Sequence, residues 1–378
     1  MKIKSVEAIP VSYPEPNDFG AMRHLCLVRL AGDDGTTGWG EAVTMWSEAS
    51  LATAAVIDGM SDLLIGRDPV HNDAIFHSLK DRAWWYGYEG GIASFAIAAL
   101  DIALWDLKGK ALNASVLDLL GGPVHERLPA IGSSHAHHEE ISDMVDEAAA
   151  WLETGLQGLK VGFGKRGNAR LGYEHRRDVE YVRAMREAMG PDRSLMIDLG
   201  WAIKWDVATA VRRVQAFDDY DITWIEEPLG DWDPEGYANL RGKIRTLIAY
   251  GEKEWTTRGY ARILETGTCD VFGCDPGRAE GITGFKKITE VVEQQRRQAN
   301  AHAWSSAIVS AASLAVSFSS PACKLFEFKP LENPMQHELV TKPLRHVAGW
   351  VYPPGGPGLG IEIREEVVDR YRSSNASS

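Results

Sequence analysis

At 378 residues the chain is longer than one compact core normally needs, so a large domain with a smaller companion is the first expectation. Hydrophobic residues make up 44% and charged residues 25%, which allows a packed core without disulfides or disorder. The net charge of −13 argues against nucleic-acid binding, which needs clustered Lys and Arg, and the lack of any 18-residue apolar stretch argues against a membrane-spanning helix.

The opening Met1-Lys2-Ile3-Lys4-Ser5-Val6 alternates as a strand does and does not resemble a leader. Strands are predicted over 2–11, 24–30 and 37–41, with Gly32-Asp33-Asp34-Gly35 as a hairpin turn. In the stretch 91–113, Phe95, Ala98, Ala99, Ile102 and Trp105 recur at helical spacing, which predicts a helix with one apolar face on a sheet. Residues 1–125 therefore read as an α+β domain. The four cysteines, Cys26, Cys269, Cys274 and Cys323, form no CxxC pair and read as buried free thiols in a reducing, cytoplasmic setting.

From residue 128 the pattern changes to short apolar runs separated by helical stretches. Eight strands are predicted, at 128–133, 158–163, 195–199, 222–226, 246–251, 271–274, 299–302 and 324–328. The expected class is α/β, a modified (β/α)8-type barrel of (β/α)7β form over 126–350. In such a barrel the C-terminal strand ends converge on one pocket. Residues 351–378, rich in Pro and Gly at their start, should return to the first domain, with 373–378 disordered.

Three predicted strands end in an acid: Asp198, Glu226 after 28 residues, and Glu252 after 26 more. One acid at a strand-to-helix junction is often only a helix cap. Three at one height on successive strands can share a hard divalent cation such as Mg²⁺, which prefers oxygen ligands. Asp275 and His302 end the sixth and seventh strands, where a carboxylate on one imidazole nitrogen would raise the basicity of the other. Lys160 ends the second strand, either as a snorkelling lysine or as a cation or base in the mouth. Glu327, between Phe326 and Phe328, is either a structural acid or a proton donor. Glu227 should point away from Glu226 by strand alternation.

Taken in order, these motifs resemble the mandelate racemase-like branch of the enolase superfamily. The resemblance rests on Gly38-Trp39-Gly40-Glu41-Ala42, the helix from Ala98 to Lys110, Met196-Ile197-Asp198, Trp224-Ile225-Glu226-Glu227-Pro228, Gly251-Glu252, the run from Asp275 to Thr283, and His302. It implies a capping domain before the barrel, Mg²⁺ on Asp198, Glu226 and Glu252, and removal of the proton next to a substrate carboxylate. It further implies a small acid-sugar substrate and an assembly of identical subunits. Catalytic roles fall to His302, Asp275, Lys160 and Glu327.

The departures from the family pattern bear on the reaction. The second lysine of the family's Lys-x-Lys is Gly162, the Asn often found two residues after the first metal ligand is Gly200, and Lys253 follows Glu252. A racemase needs a base on each face of its substrate, whereas loss of water can run with one. The expectation is therefore an acid-sugar dehydratase, with racemase, epimerase or cycloisomerase chemistry as the alternative within enzymes and a metal-binding scaffold without turnover as the alternative outside them. The loops 14–22 and 84–91 are expected to close over the mouth. Trp84, Trp85, Tyr86 and Tyr88 would either cover a sugar chain or fill the interdomain seam, and His135 is a candidate hydroxyl contact.

Overall fold

The computed structural model describes residues 1–203, 205–229, 233–302 and 304–373. The chain opens with an antiparallel sheet of β1 (Ile3–Glu15), β2 (Ala21–Gly32) and β3 (Thr37–Met45), followed by helices α1 (Ser47–Met60), α2 (Asn72–Arg82) and α3 (Ile92–Ala111). The β2–β3 turn lies where expected, with Gly35 at φ +87°. The helix α3 differs from the expectation of a single apolar face, because it is buried on nearly all sides. One side lies against β3, so closely that a Cβ on Gly40 would stand 1.9 Å from the Ala99 carbonyl oxygen. The other side meets the barrel. An all-round alanine-rich helix suits such a sandwich.

After the short α4 (Val116–Leu119) come the barrel strands β4 (Leu128–His135), β5 (Gly158–Phe163), β6 (Ser194–Leu199), β7 (Trp224–Glu226), β8 (Leu247–Tyr250), β9 (Val271–Cys274), β10 (Gln298–Ala301) and β11 (Phe326–Phe328). They pair in parallel in the order β10-β9-β8-β7-β6-β5-β4-β11, and a bridge from Ala299 to Cys323 spans the remaining seam. Between them lie α5 (Ile141–Glu153), α6 (His175–Met189), α7 (Val207–Phe217), α8 (Pro234–Arg241), α9 (Thr257–Thr266), α10 (Gly281–Gln294) and α11 (Ala307–Ser319). The barrel floor is apolar, packed by Ile131, Met196, Trp224, Ala249, Val271 and Leu325.

The C-terminal segment adds β12 (Trp350–Val351), antiparallel to β4, and then α12 (Glu365–Tyr371). It returns to the first sheet: the Leu359 N–H donates to Asp106 at 2.9 Å, and Ser373 donates its N–H to the Pro10 carbonyl at 2.9 Å. The predicted disorder thus does not include Ser373, and residues 374–378 lie outside the described residues. All four cysteines are buried and free. Among the described residues no helix is long and apolar enough to cross a membrane.

Two buried acids of the first domain reach the N-termini of barrel helices. Asp101 on α3 accepts the Thr283 N–H at 2.9 Å and its hydroxyl at 2.6 Å. Glu41 on β3 accepts the Ser306 N–H at 2.9 Å and the Val309 N–H at 3.2 Å, and also the Ser306 hydroxyl. Both satisfy amide groups that a helix start leaves unpaired, across a domain boundary. Burial pushes the Glu41 carboxyl up to about 7, despite those hydrogen bonds.

The sign of the linkage follows from that shift. A carboxyl raised in the fold binds more protons folded than unfolded, so its contribution is full below the ordinary value and is lost as pH rises through about 7. In thermal melts, the wild type should therefore lose stability relative to Glu41→Gln as pH is raised across that window. Parallel curves would remove Glu41 as the cause.

Candidate active site at the barrel mouth

Strand register sets the heights of the polar groups. His135 pairs with Gly162, Gly162 with Asp198, and Asp198 with Glu226, which forms one row across β4 to β7. Glu252 follows β8 by way of Gly251 at φ +121°, where a glycine is required. Lys160 lies one inward position below Gly162. Asp275 and His302 follow β9 and β10, and Glu327 lies within β11.

Lys160 is almost wholly buried and holds two acids. Its Nζ lies 3.0 and 3.1 Å from the oxygens of Glu226 and 3.0 Å from Oε1 of Glu327. The Trp224 indole also donates to Glu226, at 3.1 Å. Burial alone would lower the Lys160 ammonium, but Glu226, Glu327, Asp198 and Glu252 outweigh it and hold it well above its ordinary value. Lys160 is therefore a fixed positive charge. Asn300 donates its amide to Oε1 of Glu327, while Oε2 of Glu327 is buried with no partner among the described residues.

His302 and Asp275 form a close pair, with Nδ1 2.7 Å from Oδ2. An Nδ1–H donated to Asp275 leaves Nε2 as the basic nitrogen, and Nε2 lies 3.7 Å from Glu252. Burial would lower the imidazole, but Glu252 and Asp275 overcome it and raise it above its ordinary value.

Lys165, which lies past the strand, turns back into the mouth and places its Nζ 3.0 Å from Asp198. It does so through the space that Gly162 leaves: a Cβ there would stand 2.7 Å from Lys165 Cε and 2.8 Å from its Cγ. Burial would raise Asp198, but Lys165 and Lys160 hold it well below the usual carboxylate range. The signal was available in the sequence, as a lysine three residues beyond a glycine that replaces one.

Other expected residues are placed as follows. His135 stacks on Trp304, with centroids 4.4 Å apart and planes 5° apart, and its Nδ1 is buried without a partner among the described residues. Burial, with Lys165 nearby, drives its imidazole down to about 3, so it is neutral. Trp304, which donates to the Ser133 hydroxyl at 3.0 Å, had no signal as a lone tryptophan past a strand. Glu227 turns aside at φ 47° and pairs with Lys253. Trp85 stands 78% exposed beside Trp84 and does not fill the seam, whereas the Tyr88 hydroxyl accepts from Arg258 of α9 at 2.9 Å. Trp255 fills that seam, 4.9 Å from the Phe95 ring and beneath the Arg278 guanidinium.

The carboxylates of Asp198, Glu226 and Glu252 do not gather as closely as the sequence led us to expect. Among the described residues the sole trio of ligand atoms within 4.8 Å of one another lies elsewhere, at His137, His138 and Glu147. The reason is visible in the pairing, since Lys165 draws Asp198, Lys160 draws Glu226, and His302 faces Glu252. As a donor set the three still suit Mg²⁺. They are oxygen ligands, they are little exposed, and with Asp275 and Glu327 they outnumber the two ammonium groups of the mouth. Burial, reinforced by Asp198, Glu327 and Glu252 and only partly offset by Lys160, raises the Glu226 carboxyl above its ordinary value.

The description "Mandelate racemase / muconate lactonizing enzyme, N-terminal domain" fits residues 13–121, and "Enolase C-terminal domain-like" fits residues 143–367. The chain belongs to the enolase superfamily, in its mandelate racemase branch. It is 30% identical to a D-galactarolactone cycloisomerase of Agrobacterium fabrum, over 92% of this chain and 90% of the relative. It is 28% identical to a D-gluconate dehydratase of Thermoproteus tenax, over 98% of this chain and 74% of the relative. A racemase of Streptomyces coelicolor, solved with bound magnesium, superposes with a TM-score of 0.85 at 26% identity, covering 98% of this chain and 100% of the other. Superfamily membership with such relatives makes the protein an enzyme.

Gly162→Ala tests the placement of Lys165. The added methyl would press on the His135 ring at 2.9 Å as well as on Lys165, so unfolding in urea should show a loss of about 1–3 kcal/mol. A crystal structure of the variant should show Lys165 displaced from Asp198. An unmoved lysine would mean that the space over Gly162 does not control it.

Proposed function

We propose that the protein is a Mg²⁺-dependent dehydratase of an acid sugar. The observation that supports this most is the His302–Asp275 pair at 2.7 Å, with the free Nε2 turned toward Glu252 and the fixed charge of Lys160 in the same mouth. The ion, held by Asp198, Glu226 and Glu252, would supply positive charge to the substrate carboxylate and to the negative charge that develops on it.

The rest is the work of the chain's own residues. Lys160 would exchange one of its contacts with Glu226 for a substrate carboxylate oxygen. His302 takes the α-proton on Nε2, and Asp275 stabilises the imidazolium through Nδ1–H. The C–H electron pair moves toward the substrate carboxylate as an enediolate, which then collapses to form the C=C bond as the bond to the neighbouring hydroxyl breaks. The same imidazolium returns its proton to that hydroxyl, which departs as water, and the enol becomes a keto acid. Glu327 would protonate an enediolate oxygen. His135, neutral and with Nδ1 free, would meet a sugar hydroxyl, and Trp85 would meet the chain's outer end if its loop closes.

A second reading rests on Lys165. Its return over Gly162 restores an ammonium to the strand where the family pattern carries a second lysine, and this favours epimerase or cycloisomerase chemistry with a group on each substrate face. The A. fabrum relative carries a cycloisomerase name, in keeping with that reading.

Two experiments separate these readings, using a panel of hexonates, hexarates and their lactones. His302→Asn should lower α-proton exchange by about 10²- to 10⁴-fold while Mg²⁺ binding, read by calorimetry, persists. Exchange at the wild-type rate would put the base elsewhere. In deuterated water, a dehydratase with one base should release keto acid from Lys165→Met as from wild type. Loss of deuterium incorporation into recovered substrate in Lys165→Met alone would favour the isomerase.

A further inference from the structure

The segment after β4 carries His137 and His138 on consecutive residues, and α5 presents Glu147 to both. His137 Nδ1 lies 3.6 Å and His138 Nε2 3.7 Å from the same atom, Oε2 of Glu147. Those separations are too long for hydrogen bonds. The three ligand atoms nevertheless lie within 4.8 Å of one another, a spacing that no other trio of His, Cys, Asp or Glu meets among the described residues. The two imidazoles lie side by side, with centroids 3.8 Å apart and planes tilted by 37°.

A four-coordinate Zn²⁺ holds imidazole nitrogen and carboxylate oxygen at about 2.0–2.2 Å, so its ligands stand roughly 3.4 Å apart. The observed edges of 3.6 and 3.7 Å need to contract by only a few tenths of an ångström. We infer that His137, His138 and Glu147 form a second metal site, for a borderline divalent transition ion of the Zn²⁺ type, with a coordination position open to solvent.

The donor set sorts the ions. Two imidazoles and one carboxylate favour Zn²⁺, Ni²⁺ or Co²⁺ over Mg²⁺, whereas the all-oxygen mouth favours Mg²⁺. The backbone beneath the site is held in advance: the His137 carbonyl accepts the Asn168 N–H at 2.8 Å, and Gly167 at φ +99° packs directly on His137. The three side chains are 27%, 37% and 26% exposed, so an ion can reach them. The His137 ring also packs on Phe19 of the first domain, 4.8 Å between centroids. An ion here would fasten α5 to the margin of the mouth where the β1–β2 hairpin rests.

The test uses the full chain, freed of metal and then kept in excess Mg²⁺, with Zn²⁺ titrated by calorimetry and Co²⁺ followed by its visible absorption. Wild type should take up Zn²⁺, give the intense visible bands of four-coordinate Co²⁺, and melt at a higher temperature with Zn²⁺ present. His138→Ala and Glu147→Gln should lose all three responses while melting like the wild type without zinc. Zinc uptake that is equal in wild type and both variants, or absent from wild type, would overturn the site.

Discussion

Five carboxylates, those of Asp198, Glu226, Glu252, Asp275 and Glu327, are gathered above the apolar floor of one barrel with two lysine ammonium groups among them. Charges removed from water are costly unless they are compensated. The remaining structure can be understood from that imbalance. It accounts for the elevated Lys160, the raised Glu226 carboxyl, and the folding back of Lys165 to reach Asp198. It also favours the metal-dependent chemistry proposed above, because a substrate anion can enter only where positive charge is in surplus.

The barrel supplies what a bundle or a loop could not. Parallel strands in register put residues from β4 to β7 at one height, and the hydrogen-bonded ladder fixes them against mutual repulsion. His302 is held in the same way, since its own N–H donates to the Cys274 carbonyl at 2.9 Å, which places the ring beside Asp275.

Much of this was legible in the residues. Short apolar runs ending in acids have one economical reading, and the eight strands fall where that reading puts them, with β7 and β11 each reduced to three residues. Side-chain direction was less legible. Lys160 and Lys165 look alike in sequence, but one is directed inward by strand alternation and the other by a gap left over a glycine. The spread of the three acids depends on which cations reach them. The exposure of Trp85 depends on Trp255, far away in the chain, having already taken the seam. Periodicity showed that α3 was apolar, but not that it would be covered on two sides, because Thr283 and Asp101 meet only in three dimensions.

The way Asp101 and Glu41 grip α10 and α11 has an evolutionary consequence. The two parts of the chain are bolted together at the starts of α10 and α11, on contacts distinct from those of the β1–β2 hairpin and the aromatic loop around Trp85. Those two loops carry ties of their own, the hairpin through Lys329 on Glu15 at 2.6 Å and the aromatic loop through Arg258 on the Tyr88 hydroxyl at 2.9 Å, so a change of substrate there also touches the joint. A chimera that borrows another relative's first domain must also import matching partners for Thr283 and Ser306, or the graft will leave helix ends bare inside the protein.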